Sequence, residues 1–343
     1  MEFIWSLGFG NWGLIHSAHP KQDKDCRDGY LMERYQHLYG PVPSRRLGRS
    51  LGIDLVPHKI CTYDCIYCQI GKTTRKTFLR KEYIPKEEVL KEVKAFLSKG
   101  DAPIDHFSLS GSGEPTLHSQ IRSIIEGIKE ISPKPVAVIT NGSLLYKEKV
   151  RKDLLPADVV LPSLDAVSSR VFERINRPHR SISVEKVIEG MVEFRRIYKG
   201  QIWLEILFCK GVNDTPEELQ KMKKAIDRIQ PDRIHLNTVV RPPSEPWAIP
   251  LGRREIEGIR VFFGAKASII SEFDRHPISV VESDVAEGIL KILRRRPLSL
   301  KDLSRGMGIP QKEIEEYVAA LIEEGKIKVC LFENSTYYEI LNG

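Results

Sequence analysis

Six short apolar runs, "LGIDLV", "IDHFSLS", "PVAVIT", "DVVLPSL", "IWLEILF" and "RIHLNTVV", alternate with amphipathic helical stretches between Leu51 and Val240. That alternation restricts the fold more than any other feature. Strands rich in Val, Ile and Leu with helices between them read as parallel βα units. After the first run, "PKEEVLKEVKAFL" repeats Val89, Val93 and Leu97 at helical spacing. In "TPEELQKMKKAIDRI", Thr215 is placed to cap a helix that Pro216 opens, with Glu217 and Glu218 in its first turn. Six such units make either an open doubly wound sheet or a partial barrel, and in both, ligands gather at the carboxyl ends of the strands. The polar segments "SLSGSGEPT", "ITNGS", "PSLDA" and "FCKGVND" end the second to fifth runs and therefore share one face.

The segment "KICTYDCIYCQIG", following the first run, belongs to the same face and places Cys61, Cys65 and Cys68 within eight positions. Three is an odd number for disulfides and one short of a closed zinc tetrahedron. Thiolates favour iron–sulfur clusters or zinc. Three of them can hold three corners of a [4Fe–4S] cube and leave one iron for a non-protein ligand. Alternatively, a distant residue such as Cys209 completes a zinc site. Cys26, Cys209 and Cys330 are widely scattered, which argues against a secreted disulfide framework and against a second cluster. The remaining strand-end segments also have local explanations: a turn before Pro115, an Asn-Gly turn at Asn141, and a helix-capping Asp165.

The cysteine spacing, with aromatic Tyr67 just before the third cysteine, and the ordered strand-end motifs resemble the radical S-adenosylmethionine (radical SAM) superfamily. The likeness runs from about Tyr39 to Ile270 and is greatest to iron–sulfur oxidoreductases related to wybutosine and molybdenum-cofactor biosynthesis enzymes. It implies an α/β fold, a partial (β/α)6 parallel barrel, with one [4Fe–4S] cluster held by Cys61, Cys65 and Cys68. It implies S-adenosylmethionine as second cofactor, bound to the open iron through its amino and carboxylate groups. One electron from a ferredoxin- or flavodoxin-type donor then yields a 5′-deoxyadenosyl radical that abstracts hydrogen from substrate. By the same resemblance Tyr67, Gly113, Glu114, Thr140, Asn141, Ser163 and Asp165 are cofactor contacts. Gly113 and Glu114 fall to the methionyl amino group, and the polar residues ending the third and fourth strands to the carboxylate and ribose. Ser112 stands where many members have glycine. Asn176, Arg177, Glu205 and Asn237 fall at cofactor-side or substrate-side positions, and no residue is assigned as a catalytic acid or base.

The tail reads differently: helix, helix, helix, then a hairpin turning at "ENST", the order of a winged helix-turn-helix. Ser299 is placed to cap its second helix, and Ile314, Val318, Leu321 and Ile322 form the expected buried stripe of the third. The expected organisation is an N-terminal extension of poor order at 1–38, a radical SAM core at 39–278 and a winged-helix domain at 279–343. Met32 is a candidate start. The opening "MEFIWSLGFGNWGLI" fits neither a membrane span nor a clean signal peptide, so a cytoplasmic protein is expected. Net charge is +7, but the last 63 residues carry nine basic against eleven acidic side chains, −2, which leaves +9 on the rest. Arg45, Arg46, Arg49, Lys72, Arg75, Lys76, Arg80 and Lys81 flank the cysteine loop and are candidates to line a barrel mouth facing nucleic acid. The acidic third tail helix speaks against DNA, so a macromolecular substrate is read as tRNA or protein. A different class of reading is a redox- or metal-sensing regulator acting through the winged helix.

Overall fold

The computed structural model describes residues 35–341, apart from Arg45, 99–102, 271–284, Arg295, Gly308 and Asn334. Residues 1–34 of the expected N-terminal extension, with Cys26 and Met32, lie outside the described residues, as does the linker boundary near 279. Strand β1 (Leu38–Ser44) runs antiparallel to β2 (Gly48–Ile53). The short β3 (Ile60–Cys61) and β4 (Arg75–Lys76) pair with each other and pinch the cysteine loop between them. Helix α1 (Lys86–Ser98) precedes β5 (His106–Leu109), and α2 (Ile121–Ile131) precedes β6 (Val136–Thr140). Next come α3 (Glu148–Asp153), β7 (Val159–Pro162), α4 (Ser169–Ile175), α5 (Val184–Ile197) and β8 (Gln201–Phe208). The sheet is completed through α6 (Pro216–Ile229), β9 (Arg233–Thr238), α7 (Arg253–Phe263) and β10 (Ala267–Ile269).

All six expected strands form, and the order is β1-β2-β5-β6-β7-β8-β9-β10, parallel from β2 to β10. This order never reverses, so there is no switch point. Right-handed crossovers then place the helices on one face, and the sheet curls into a partial barrel rather than a doubly wound layer. Alternate strand residues divide accordingly. Leu51, Phe107, Val138, Val160, Leu204 and Leu236 pack outward with helix residues such as Ile124, Val187 and Met222. Ala137, Val159, Leu161 and Trp203 form a separate inner cluster with Leu47, from the β1–β2 turn. Each fully buried side chain of this kind stabilises by about 1.5–3 kcal/mol. Thr215 accepts from the Glu218 amide and caps α6, as its sequence predicts.

Strand β1 is not apparent from the pattern, because Pro41 and Pro43 interrupt it. An edge strand tolerates proline since one side of its backbone needs no partner. The described core also begins before residue 39: the amides of Gln36, His37 and Leu38 all donate to the Glu92 carboxylate.

Beyond the linker, α8 (Val285–Leu293), α9 (Leu300–Met307), α10 (Gln311–Glu323), β11 (Ile327–Phe332) and β12 (Ser335–Ile340) follow in that order. Ile289, Leu303, Ile314, Val318, Leu321 and Tyr338 share a core separate from the barrel's. Ser299 Oγ accepts from the Asp302 amide at the start of α9, but Ile322 is exposed rather than part of the buried stripe. Tyr337 donates its hydroxyl to the Val240 carbonyl at 3.0 Å, joining the hairpin to the loop after β9. Among the described residues no helix is long and apolar enough to cross a membrane.

Candidate active site

The cysteine loop is held from several sides at the carboxyl ends of the strands. Lys59 donates its amide to the Ser112 carbonyl, and Ile60 accepts from the Glu114 amide, which fastens the loop to the segment after β5. Gly113 is needed there, since a Cβ would fall 2.1 Å from the Ile60 carbonyl oxygen. Amides of Asp64 and Ile66 donate to the carbonyls of Asn176 and Ile175, and the Ile66 carbonyl accepts from Glu245. Backbone of one loop is thus anchored by segments after β5, β7 and β9.

Each of the three sulfurs receives an N–H donor from a different residue. Asn141 Nδ2 lies 3.5 Å from Cys61 Sγ, Asn176 Nδ2 lies 3.4 Å from Cys65 Sγ, and Lys59 Nζ lies 3.1 Å from Cys68 Sγ. Burial pushes the Cys61 thiol up to about 12, with the Glu114 carboxylate adding to it. Burial likewise drives Cys65 well above the usual thiol range, and Asp165 acts in the same direction. Metal-free, these two sulfurs are therefore protonated at neutral pH, and a positive guest is what favours their thiolates.

Two buried carboxylates organise the surroundings. Glu114 Oε1 accepts from the Thr116 amide at 3.0 Å and from the hydroxyls of Thr116 and Thr140 at 2.6 Å each. Its Oε2 accepts from the Asn141 amide at 2.8 Å. Asp165 Oδ2 accepts from Tyr67 at 2.5 Å and from Asn176 Nδ2 at 2.8 Å, while Oδ1 accepts from the Leu207 amide at 2.9 Å. Burial holds both acids above the ordinary carboxylate range despite these donors. Of the residues expected at the site, Glu114, Thr140 and Asn141 thus form one network, and Tyr67 and Asp165 form another. Ser163 adjoins the first through backbone, its amide donating to the Thr140 carbonyl, and it bridges to Glu205 on β8.

Deeper in the lumen, Glu205 pairs with Arg46 and accepts from Asn237 Nδ2 at 3.1 Å. Arg46 therefore does not line the mouth as its sequence neighbourhood suggests. Arg49 pairs with Asp105 at the amino ends of the strands, and Arg80 is buried against Asp153 at 2.8 Å. Their acids lie far away in sequence, so charge runs alone mislead. Cys209 is fully buried, and its charged neighbours are Asp165 and Asp214 rather than the loop thiols. Among the described residues no three His, Cys, Asp or Glu side chains are set to chelate a single metal ion. Lys59, which no sequence pattern singles out, is the addition that the structure makes to the site.

A parallel partial barrel with three thiols in the loop after its first parallel strand defines a class of iron–sulfur enzyme. A sequence profile described as the radical SAM superfamily matches residues 55–232. The chain is 39% identical over 298 residues to the GTPase Obg of Brachyspira hyodysenteriae, covering 85% of this chain but 43% of that one. It thus spans less than half the length of that relative. A UPF0026 protein of Methanocaldococcus jannaschii is 33% identical over 309 residues, 88% of this chain and 94% of its own. Among solved structures, a radical SAM methyltransferase from Sphaerobacter thermophilus aligns with a TM-score of 0.50 at 15% identity, over 64% of this chain and 65% of that one. That likeness is one of fold. The chain belongs to the radical SAM superfamily, whose members use a [4Fe–4S] cluster and S-adenosylmethionine.

Proposed function

We propose that this protein is a cytoplasmic radical SAM enzyme in which Cys61, Cys65 and Cys68 hold the cluster, and that its substrate is an RNA. The cluster reading rests on one observation above all: three thiols of one loop, each facing an N–H donor, at the carboxyl ends of a parallel barrel. Hydrogen bonds of this kind favour sulfur that carries negative charge. When bound, the cluster supplies the electron that cleaves S-adenosylmethionine to a 5′-deoxyadenosyl radical.

The chain's own residues bind and orient. Glu114 keeps acceptor capacity on Oε2, where Asn141 is the single donor among the described residues, and its burial favours a cationic guest such as the methionyl ammonium. Gly113 lets the segment that carries Glu114 lie against the Ile60 carbonyl. Asp165 fixes Tyr67 within the loop, Ser163 offers a short polar side chain for a carboxylate or hydroxyl group, and Thr140, its hydroxyl engaged by Glu114 and the Gly142 amide, acts through that acid. The described cysteines are all free thiols, which suits a reducing compartment.

An RNA substrate is favoured by the rim. Lys147 Nζ lies 4.9 Å from the Phe78 ring centroid and 5.8 Å from that of Tyr146, and Lys186 approaches Tyr146 to 5.9 Å. Phe78 also meets the His179 ring at 4.7 Å. On the other side of the loop, Arg174 and Arg177 lie 5.6 and 6.0 Å from the exposed Trp247 ring. Cations interleaved with aromatic faces suit phosphates and unpaired bases, which folded RNA offers in its loops. Residues of α10 such as Glu313, Glu315 and Glu316 are exposed, so that helix repels a phosphate backbone. A core that begins before residue 39, since its apolar cluster includes Leu38, and a winged-helix domain beyond 284 accord with two apolar clusters.

Anaerobic reconstitution with iron and sulfide, followed by dithionite and S-adenosylmethionine, tests the class: about four irons per chain and release of 5′-deoxyadenosine are expected. Capture from native extract with and without nuclease tests the substrate. A nuclease-sensitive RNA is expected, and a nuclease-resistant polypeptide as sole partner would replace RNA by a protein target.

A further inference from the structure

Lys59 is an unusual lysine. Its side chain is almost wholly enclosed, at 4% exposure, and its one hydrogen-bond partner among the described residues is Cys68 Sγ at 3.1 Å. Lysines are almost never buried unless paired, and the usual partner is a carboxylate. Its backbone is also left-handed, with φ of 56°, a conformation that favours glycine or asparagine over a long side chain. A strained position is therefore occupied by a residue whose charge is delivered to one sulfur. The other two sulfurs receive neutral amides, from Asn141 and Asn176, at longer range.

We infer that Lys59 sets the reduction potential of the cluster by placing a fixed positive charge against Cys68. The inference rests on the reading of the three cysteines as cluster ligands. Reduction adds one negative charge to the cluster, and a buried cation beside a ligand sulfur stabilises the more negative state. Lys59 thus acts through Cys68 as a positioning residue and touches no reacting atom. The asymmetry has a direction: the charge enters at the corner farthest along the loop, whereas Asn141 and Asn176 also carry the loop's structural hydrogen bonds to Thr62 and Asp165. Among the described residues Lys59 Nζ has no such second duty.

The full chain, wild type and with Lys59→Met, Lys59→Gln or Lys59→Arg, is reconstituted anaerobically. Iron content and midpoint potential are then read by EPR-monitored redox titration. Lys59→Met and Lys59→Gln should hold as much iron as wild type. At a fixed potential their ratio of reduced to oxidised cluster should fall roughly tenfold, a shift of about 59 mV to more negative values for one electron. Lys59→Arg should restore most of the difference. Equal potentials in wild type and Lys59→Gln at equal iron content would overturn the inference. So would loss of iron in Lys59→Met together with wild-type potential in Lys59→Gln, since that marks a structural role alone. A wild-type chain that takes up no iron would instead overturn the reading of the cysteines, and the inference with it.

Discussion

The barrel contains two buried polar layers built on opposite plans. At the carboxyl ends, Glu114 and Asp165 each gather donors from several loops, while the sulfurs between them each face a side-chain N–H donor. Midway down the lumen, Glu205 is closed off by Arg46 and Asn237, and His235 sits beside them at 6% exposure with its Nδ1 unpartnered. The upper layer uses acids to hold loops around groups that still have bonding capacity. The lower layer neutralises itself. Buried charge therefore marks function only where its partners leave something unfinished.

The largest expected effect separates the two layers completely. Cys65→Ala should bring 5′-deoxyadenosine release down to background and lower bound iron, with little change in thermal stability, because Asn176 retains Asp165 as partner. Retention of both iron and product release would show that the upper layer is not a cluster site. Glu114→Ala comes next, since it strands four buried donors. A loss of about 3–5 kcal/mol in denaturant unfolding is expected, with Glu114→Gln far milder. An unchanged unfolding midpoint in the alanine variant would remove the organising role claimed for that acid.

The third test concerns the lower layer. Burial lowers the His235 pKa to about 4, against the 6.5 of an exposed histidine. The folded state therefore binds this proton less readily than the unfolded chain. Its stabilising contribution is complete above pH 6.5 and declines as pH falls toward 4, by about 3 kcal/mol at most. His235→Phe should flatten stability across that window, and an identical pH profile in the variant would contradict the assignment. Smallest of all should be Arg49→Ala. Its pair with Asp105 is 39% and 40% exposed, so a change within about 0.5 kcal/mol is expected in thermal unfolding.

The parallel barrel was legible because burial on both faces imposes long apolar runs, and helices between them keep their own period. The cysteine loop was legible because its ligands are close in sequence. Partners across the barrel were not. Arg46 and Glu205 are 159 positions apart, and Tyr67 and Asp165 are 98 apart, distances that no local spacing encodes. The charge run around Arg46, Arg49 and Arg80 suggested one basic surface, yet the three side chains point to the lumen, the amino ends and a buried aspartate. Lys59 is silent in the sequence for a related reason. Its significance lies in a backbone angle and a sulfur nine residues away, neither of which composition reveals.

The sheet ends at β1 on one side and β10 on the other, so the barrel is a tube slit along its length. No ladder of backbone bonds sets the width of its bore. The Arg46–Glu205 pair joins the β1–β2 turn to β8 across that bore. Two side chains, rather than backbone, thus tie the tube across. Shortening one of them, as in Glu205→Asp, loosens that tie at a point far in sequence from the thiols.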